Sequence, residues 1–403
     1  MAPPAVEKAR DRLECVITWH RRHQMALLLA HSVGTQVVTF VLRPTMSYGA
    51  IELHVSAAWL GVLGASFAIA PLVLAIPAGQ AADRYGERRM AVAGAILLTT
   101  ACAAFLAFGH TIPGLIAGGV LLGTGHLGCV IAQQALVANV TERGRHDTAF
   151  GHYTFAASLG QALGPILIIV FGGAHAIPDT GRIYLWTCGL AAVLVVLSAL
   201  LTGSPRATAR AGGQATGVRS LLRLPGLAHA LVTSCVVLAA VDITLVYLPA
   251  LGTEQGLASG VVGVLLAVRG VASMGSRFFL GRLSHAFGRR RLLVAGTVSA
   301  ALAMALTPLP MPLWLLACVL LVLGFGLGIG QPMTMSWLAE SAPAGLRGRA
   351  MSLRLAGNRT GQILIPGAAG LVAAGAGAAG VLLITALGLG WAGVAARRLP
   401  VDT

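Results

Sequence analysis

The chain has 403 residues, of which 56% are hydrophobic and 10% charged, with a formal net charge of +15. Soluble domains are about 45–50% apolar and about 25% charged, so a water-soluble enzyme, a disordered chain and a disulfide-stapled secreted domain do not fit. Such a composition belongs to an integral membrane protein; its basic excess is a matter of loop placement and implies no nucleic-acid partner.

Residues 1–22 mix acids with five basic residues and lead into the first apolar run without a small-residue cleavage site. That run is therefore expected to stay as a membrane helix behind a tail. Crossing a bilayer takes about 20 mainly apolar residues. On that measure the expected spans are 23–42, 58–78, 90–108, 113–138, 148–172 and 182–202, then 228–250, 259–279, 292–308, 312–337, 349–372 and 376–396. Pro308, Pro310 and Pro312 crowd the end of the ninth. The polar, basic, Gly-rich stretch 203–227 reads as a cytoplasmic linker between a six-helix bundle over 23–202 and a second over 228–396, with a short tail at 397–403. Twelve spans put both ends on one side. The loops, tails and adjoining span ends of that side hold 23 of the 28 basic residues, and the opposite side holds only Arg43 and Arg182, so both termini are expected in the cytoplasm.

The six cysteines are scattered singly, without a CxxC or metal-type spacing, so neither a disulfide framework nor a metal or other cofactor is expected. There is no Walker A lysine motif, no HExxH and no GxSxG, so the chain carries no catalytic constellation.

The two halves echo each other. Gly79–Arg89 (GQAADRYGERR) recurs as Gly281–Arg291 (GRLSHAFGRRR) at an offset of 202, and SLGQALGP ending at Pro165 recurs as RTGQILIP ending at Pro366 at an offset of 201. Two matches at nearly one offset indicate internal duplication, as in secondary transporters. In the first copy Gly79, Asp83, Arg84, Gly86, Arg88 and Arg89 match G-x-x-x-D-[RK]-x-G-[RK]-[RK], with Glu87 departing at one basic position. Over essentially its whole length the chain thus resembles the major facilitator superfamily. The resemblance implies an all-α membrane fold, twelve helices in two pseudo-symmetric bundles around a central cavity, working by alternating access. It also makes the Gly79–Arg89 loop a gate, whose charge pairs close the cytoplasmic face and break in each cycle; Arg354 is its expected partner for Asp83. In the second copy His285 stands at the place of Asp83, so the gate is expected to be asymmetric.

Span five narrows the class. Gly151, Gly160, Gly164 and Pro165 stand at the spacings of the family's antiporter motif, though Ile168 and Ile169 replace its closing glycine pair. Small residues on one face allow close helix packing, and a proline bends the span. Aligned on Gly123-Thr124-Gly125, Gly119 stands where many proton-coupled exporters of the family carry an Arg.

Ionisable groups in hydrocarbon cost about 2.5–3.5 kcal/mol each to insert, which makes each a functional candidate. Asp242 in span seven is the only acid within a span; Arg269 lies in span eight, and Arg354 and Arg359 in span eleven. Asp242 is read as a proton-coupling carboxylate or, equally, as one half of a fixed pair with Arg269. His31 and His126 are the other candidates for the proton. Arg269 and Arg359 suit a carboxylate or phosphate on the substrate, with Gln36, His126, Gln133 and Asn358 as polar lining. Arg43 is read as a snorkelling anchor at the outer end of span one. The expectation is a monomeric exporter in a bacterial inner membrane, driven by protons and carrying a small organic molecule. The alternatives are a proton symporter importing an organic anion and a non-transporting sensor of the same fold.

Overall fold

The computed structural model describes residues 4–53, 57–172, 178–203, 226–257, 259–343 and 346–397. Most of the linker expected over 203–227 and the tail after 397 lie outside the described residues. The described residues are helical almost throughout and contain no strand: α1 (Pro4–Glu52), α2 (Ala57–Tyr85), α3 (Glu87–Phe108), α4 (Ile112–Val140), α5 (His146–Gly172), α6 (Thr180–Leu200), α7 (Leu227–Glu254), α8 (Ser259–Phe278), α9 (Leu280–Phe287), α10 (Arg289–Leu306), α11 (Leu313–Ser341) and α12 (Arg347–Ala396). This is what hydrocarbon demands, because a helix satisfies its backbone hydrogen bonds within itself.

Among the described residues eight helices are long and apolar enough to cross a membrane, or nine when the pair Val264–Phe278 and Leu280–Phe287, bent by 65°, counts as one span. Spans expected at 148–172, 292–308 and 349–372 fall on α5, α10 and the first part of α12 without being among those eight. The last two expected spans run together in α12, interrupted at Gly377, whose φ of 62° and ψ of −167° are not helical. Only glycine takes that backbone conformation without strain. The helix restarts under a cap from another element: the Glu254 carboxylate at the end of α7 accepts the Ala378 N–H at 3.1 Å.

The chain divides into two compact units. The first comprises Met1–Phe67, Tyr85–Val140 and Leu159–Arg206; the second comprises Ala68–Arg84, Thr141–Ser158 and Ala207–Thr403. The division cuts through α2 and α5, whose segments Ala68–Arg84 and Thr141–Ser158 group with the second unit.

Each unit is packed through a matching pair of glycines. In the first, a Cβ on Gly94 of α3 would lie 2.7 Å from the Cys129 N and 2.9 Å from the Gly125 O of α4, and one on Gly125 would lie 2.8 Å from the Gly94 O. In the second, a Cβ on Gly296 of α10 would lie 3.0 Å from Ile329, and one on Gly326 of α11 would lie 2.9 Å from the Ala300 Cβ. Gly94 and Gly296 are 202 residues apart, and Gly125 and Gly326 are 201 apart, so the duplication extends to backbone contacts. Leucines supply the filling, as at Leu98, Leu115 and Leu122 in one unit and Leu320, Leu323 and Leu327 in the other.

Gly125→Val is expected to force α3 and α4 apart, costing about 1–3 kcal/mol as overpacking and lowering the thermal unfolding midpoint in detergent by about 3–10 °C. Gly189→Val, at a position where a Cβ meets nothing within 4 Å, is expected to leave the midpoint unchanged.

Candidate functional site

In the first unit, α1 carries His31, Thr35 and Thr39 at intervals of four, which places them on one face of the helix. Gln133 of α4 donates from Nε2 to the His31 Nδ1 at 2.8 Å and to the Thr35 Oγ1 at 2.9 Å, while the Thr35 hydroxyl donates to the His31 carbonyl at 2.8 Å. The His31 Nε2 lies 2.6 Å from the Ser198 Oγ of α6, and that hydroxyl spends its own hydrogen on the Leu194 carbonyl at 2.7 Å. The Nδ1 therefore accepts and the Nε2 donates, which is the neutral tautomer with both nitrogens engaged. His126, two turns earlier on α4, meets the Thr39 Oγ1 through Nδ1 at 3.0 Å and leans on the Phe67 ring, with centroids 5.7 Å apart. Gln36 accepts from Gln161 of α5 at 3.3 Å. His31, His126, Gln36 and Gln133 are all buried. Arg43 is exposed and stacks on Phe67, its guanidinium carbon 4.5 Å from the ring centroid.

In the second unit, Arg354 of α12 is fully buried and donates from Nη1 to the Gln331 Oε1 at 2.9 Å and to the Ser234 Oγ at 3.2 Å. The Ser234 hydroxyl donates to the Asn358 Oδ1 at 2.9 Å, and the Gln331 amide donates to the Ser234 carbonyl at 2.8 Å. Four polar side chains from α7, α11 and α12 thus hydrogen-bond in one network. Two turns along α7, Asp242 is half-buried and within electrostatic reach of the buried Arg269 of α8. Arg359, next to Asn358, is half-buried.

The end of α2 meets the start of α12 in the same unit. Asp83 accepts the Gly348 N–H at 2.8 Å and the Arg349 N–H at 3.0 Å, with the Arg349 Nε 3.6 Å from its carboxylate. A carboxylate on the unsatisfied amides of a helix start is a favourable site for negative charge. The guanidinium 3.6 Å from Asp83 is that of Arg349. Arg354 lies five residues further along α12, off Arg349's face, where it meets Ser234 and Gln331. Gly79 makes this approach possible, since a Cβ there would lie 2.6 Å from the Ser352 Cβ and 2.9 Å from the Gly348 O. Arg84, Arg88 and Arg89 are exposed, and Gly86 holds a φ of 90° that starts α3.

A third cluster was not legible as a site. Arg289, which opens α10, donates from Nε to the Asp147 Oδ2 at 2.7 Å and, from its two terminal nitrogens, to both oxygens of Glu340, one of them at 2.8 Å. Asp147 also accepts from Ser336, and Glu340 accepts from the Gly144 N–H at 3.3 Å and faces the His146 Nδ1 at 3.1 Å. The bond to Glu340 is the first of the influences that hold the Arg289 guanidinium above its ordinary pKa. The repeat arithmetic carried the signal. Arg289 stands 202 residues after Glu87, and Glu340 stands 201 after Asn139; in the first unit Asn139 donates to Glu87 at 2.5 Å. The first residue of the helix after the loop meets the end of the following helix in both copies, an acid on a neutral amide in the first and a guanidinium on an acid in the second.

The glycines of span five are close-approach points. A Cβ on Gly160 would lie 2.5 Å from the Val33 O and one on Gly164 2.8 Å from the Phe40 Cβ, both on α1, whereas Gly151 abuts the Arg277 carbonyl of α8. Pro165 lies inside α5, and its side chain lies outside the described residues. Among the described residues no group of three His, Cys, Asp or Glu is placed to hold a metal ion.

The family model of the Major Facilitator Superfamily matches residues 28–284 and 230–403. Multidrug resistance protein 1 of Bacillus subtilis is 27% identical over 154 residues, which span 38% of this chain and 38% of that relative's length. Among solved structures, the E. coli fucose:proton symporter superposes with a TM-score of 0.79 at 16% identity, covering 93% of this chain and 97% of its own. The human organic anion transporter MFSD10 gives 0.72 at 18% identity, over 93% and 99%. A proton:xylose symporter gives 0.76 at 15% identity, over 93% and 95%. At these identities the structures establish the fold.

Arg289→Gln is expected to strand two carboxylates and to cost about 2–3 kcal/mol of stability, read as a lowered unfolding midpoint in detergent. Adding Asp147→Asn and Glu340→Gln to the same chain is expected to recover part of the loss.

Proposed function

The chain belongs to the major facilitator superfamily, and on that premise we propose that it is a proton-coupled exporter of a small organic compound. As a member of this family it is a multi-pass membrane transporter that carries small-molecule substrates by alternating access, not an enzyme. The finer reading rests on one observation above the rest: Asp242, the only acid within an expected span, faces electrostatic coupling with Arg269 on the next helix. A carboxylate that gains a proton loses its hold on the guanidinium. A substrate group can then replace it there, so proton and substrate compete for one set of charges, as antiport requires.

Asp242 is a better carrier than His31, whose two ring nitrogens are both committed to Gln133 and Ser198. His126, Gln36, Gln133, Asn358 and Arg359 are assigned to substrate lining. Export is further supported by the span-five glycines, which leave no room for side chains against α1 and α8, and by the partial likeness to a multidrug resistance protein. The gate consists of Asp83 on the α12 start and of Arg289 between Asp147 and Glu340, pairs that form at helix ends and can be broken and remade in each cycle. Arg354 serves as the buried anchor of that region. The loop arginines support a reading with both termini in the cytoplasm of a bacterial inner membrane, the chain working as a monomer of two six-helix bundles, 23–202 and 228–396.

One observation favours a second reading, import of an organic anion with protons: Arg269, Arg354 and Arg359 bring three guanidiniums to the unit that holds Asp242.

In proteoliposomes loaded with a pH dye, wild-type protein is expected to move protons out of step with one compound of an organic-anion and drug panel, and Asp242→Asn is expected to abolish the signal. Proton movement in the same direction as substrate would replace export by symport, and an unchanged signal in the variant would remove Asp242 from the coupling. Asp83→Asn is expected to slow transport about tenfold while leaving the substrate's apparent affinity within about twofold, since it removes one charge-assisted contact of about 1.5–3 kcal/mol from the gate and none from the substrate.

A further inference from the structure

At the start of α10, on the face turned away from Asp147 and Glu340, a groove of about 880 Å³ opens between α9, α10 and the end of α12. Arg290, Arg291 and Arg397 line it together with Phe287, Val294, Ala295 and Val298, and no acid is among its lining residues. All three arginines are exposed, and Arg290 is held in place by donating to the Arg397 carbonyl, which draws the two helix ends together. The partial positive charge at the start of α10 adds to theirs. The groove does not close over a small solute. Its apolar wall runs on along the outward stripe of α10, through Ala295 and Ser299 to Leu302, which is 63% exposed, and Leu306. A shallow furrow lined by Ser299, Leu302, Leu306, Cys318 and Val322 continues the same line between α10 and α11.

We propose that this is a binding site for an anionic phospholipid, its phosphate headgroup held by Arg290, Arg291 and Arg397 and its acyl chain laid along the outward face of α10. Charge complementarity selects the headgroup, because guanidinium forks match phosphate oxygens. Continuity with the apolar stripe selects a lipid over a soluble phosphate, because basic pockets at the polar ends of membrane helices suit anionic headgroups. The first unit supplies an internal contrast. Arg88 and Arg89 stand 202 residues earlier, but the described residues that follow α6 are Leu201, Thr202 and Gly203, and a Cβ on Gly203 would lie 3.7 Å from the Glu87 carboxylate. Among the described residues the triad without an acid belongs to the second copy.

The test is native mass spectrometry of the full chain, released from detergent after equilibration with equal amounts of phosphatidylglycerol and phosphatidylcholine. Wild type is expected to retain phosphatidylglycerol preferentially. With each surface cation worth about fivefold in affinity, the combined Arg290→Gln, Arg291→Gln and Arg397→Gln variant is expected to lose at least about tenfold of that occupancy without losing phosphatidylcholine. The three Arg→Lys changes together keep the charge and the fold, and are expected to keep most of the preference. Wild-type occupancy in the Gln variant would place the lipid elsewhere and overturn the proposal. So would equal loss of both lipids, and so would displacement of the lipid by glycerol phosphate at the lipid's own concentration, which would make the ligand a soluble phosphate.

Discussion

Between helices in hydrocarbon, burying another leucine gains little, because the lipid is as apolar as the leucine; association has to come from backbones brought close enough for dispersion contact. Gly94 with Gly125, and Gly296 with Gly326, meet that constraint in the two units, and much else follows from where they put the helices. With α3 seated on α4, the buried polar faces of α1 and α4 can meet at His31 and Gln133. With α10 seated on α11, Arg289 reaches Glu340. These glycines are thus not a sign of slack chain but of helices that touch.

Against that apolar packing the charges are few, and each is placed by the same logic. Those at the helix ends sit where amides or carbonyls are unsatisfied, as Asp83 does on the α12 start and Glu254 on the restart after Gly377. Those further in are covered by neutral hydrogen-bonding groups, as Arg354 is by Ser234 and Gln331. The arrangement leaves Asp242 and Arg269 as a pair of opposite charges inside the expected spans, and this is why the transport chemistry is sought there.

Helix positions and the duplication could be read from the sequence because both depend on local properties: apolar run length, and the recurrence of a loop pattern at one offset. The family membership followed from the same residues. Partnerships were less accessible. Arg349 and Arg354 differ by one and a half turns of a helix whose phase is fixed only by its neighbours, so the sequence could not show that Arg349 comes within 3.6 Å of Asp83. Asp147 and Glu340 looked like ordinary loop charges because they flank spans, and only the folded chain brings them to Arg289. The state of His31 depends on two donors and acceptors 102 and 167 residues away. That kind of information has no local trace.

The change from Glu87 on the neutral Asn139 to Arg289 on the charged Glu340 bears on how such a chain can be rebuilt by recombination. A block carrying both α10 and α11 keeps the Arg289–Glu340 contact when it is moved. A single helix does not, because α3 in the place of α10 would set Glu87 against Glu340 and leave Asp147 facing a third carboxylate. After duplication, the helix pair rather than the helix became the smallest interchangeable piece, and the divergence at this one register locks each pair to its own partner.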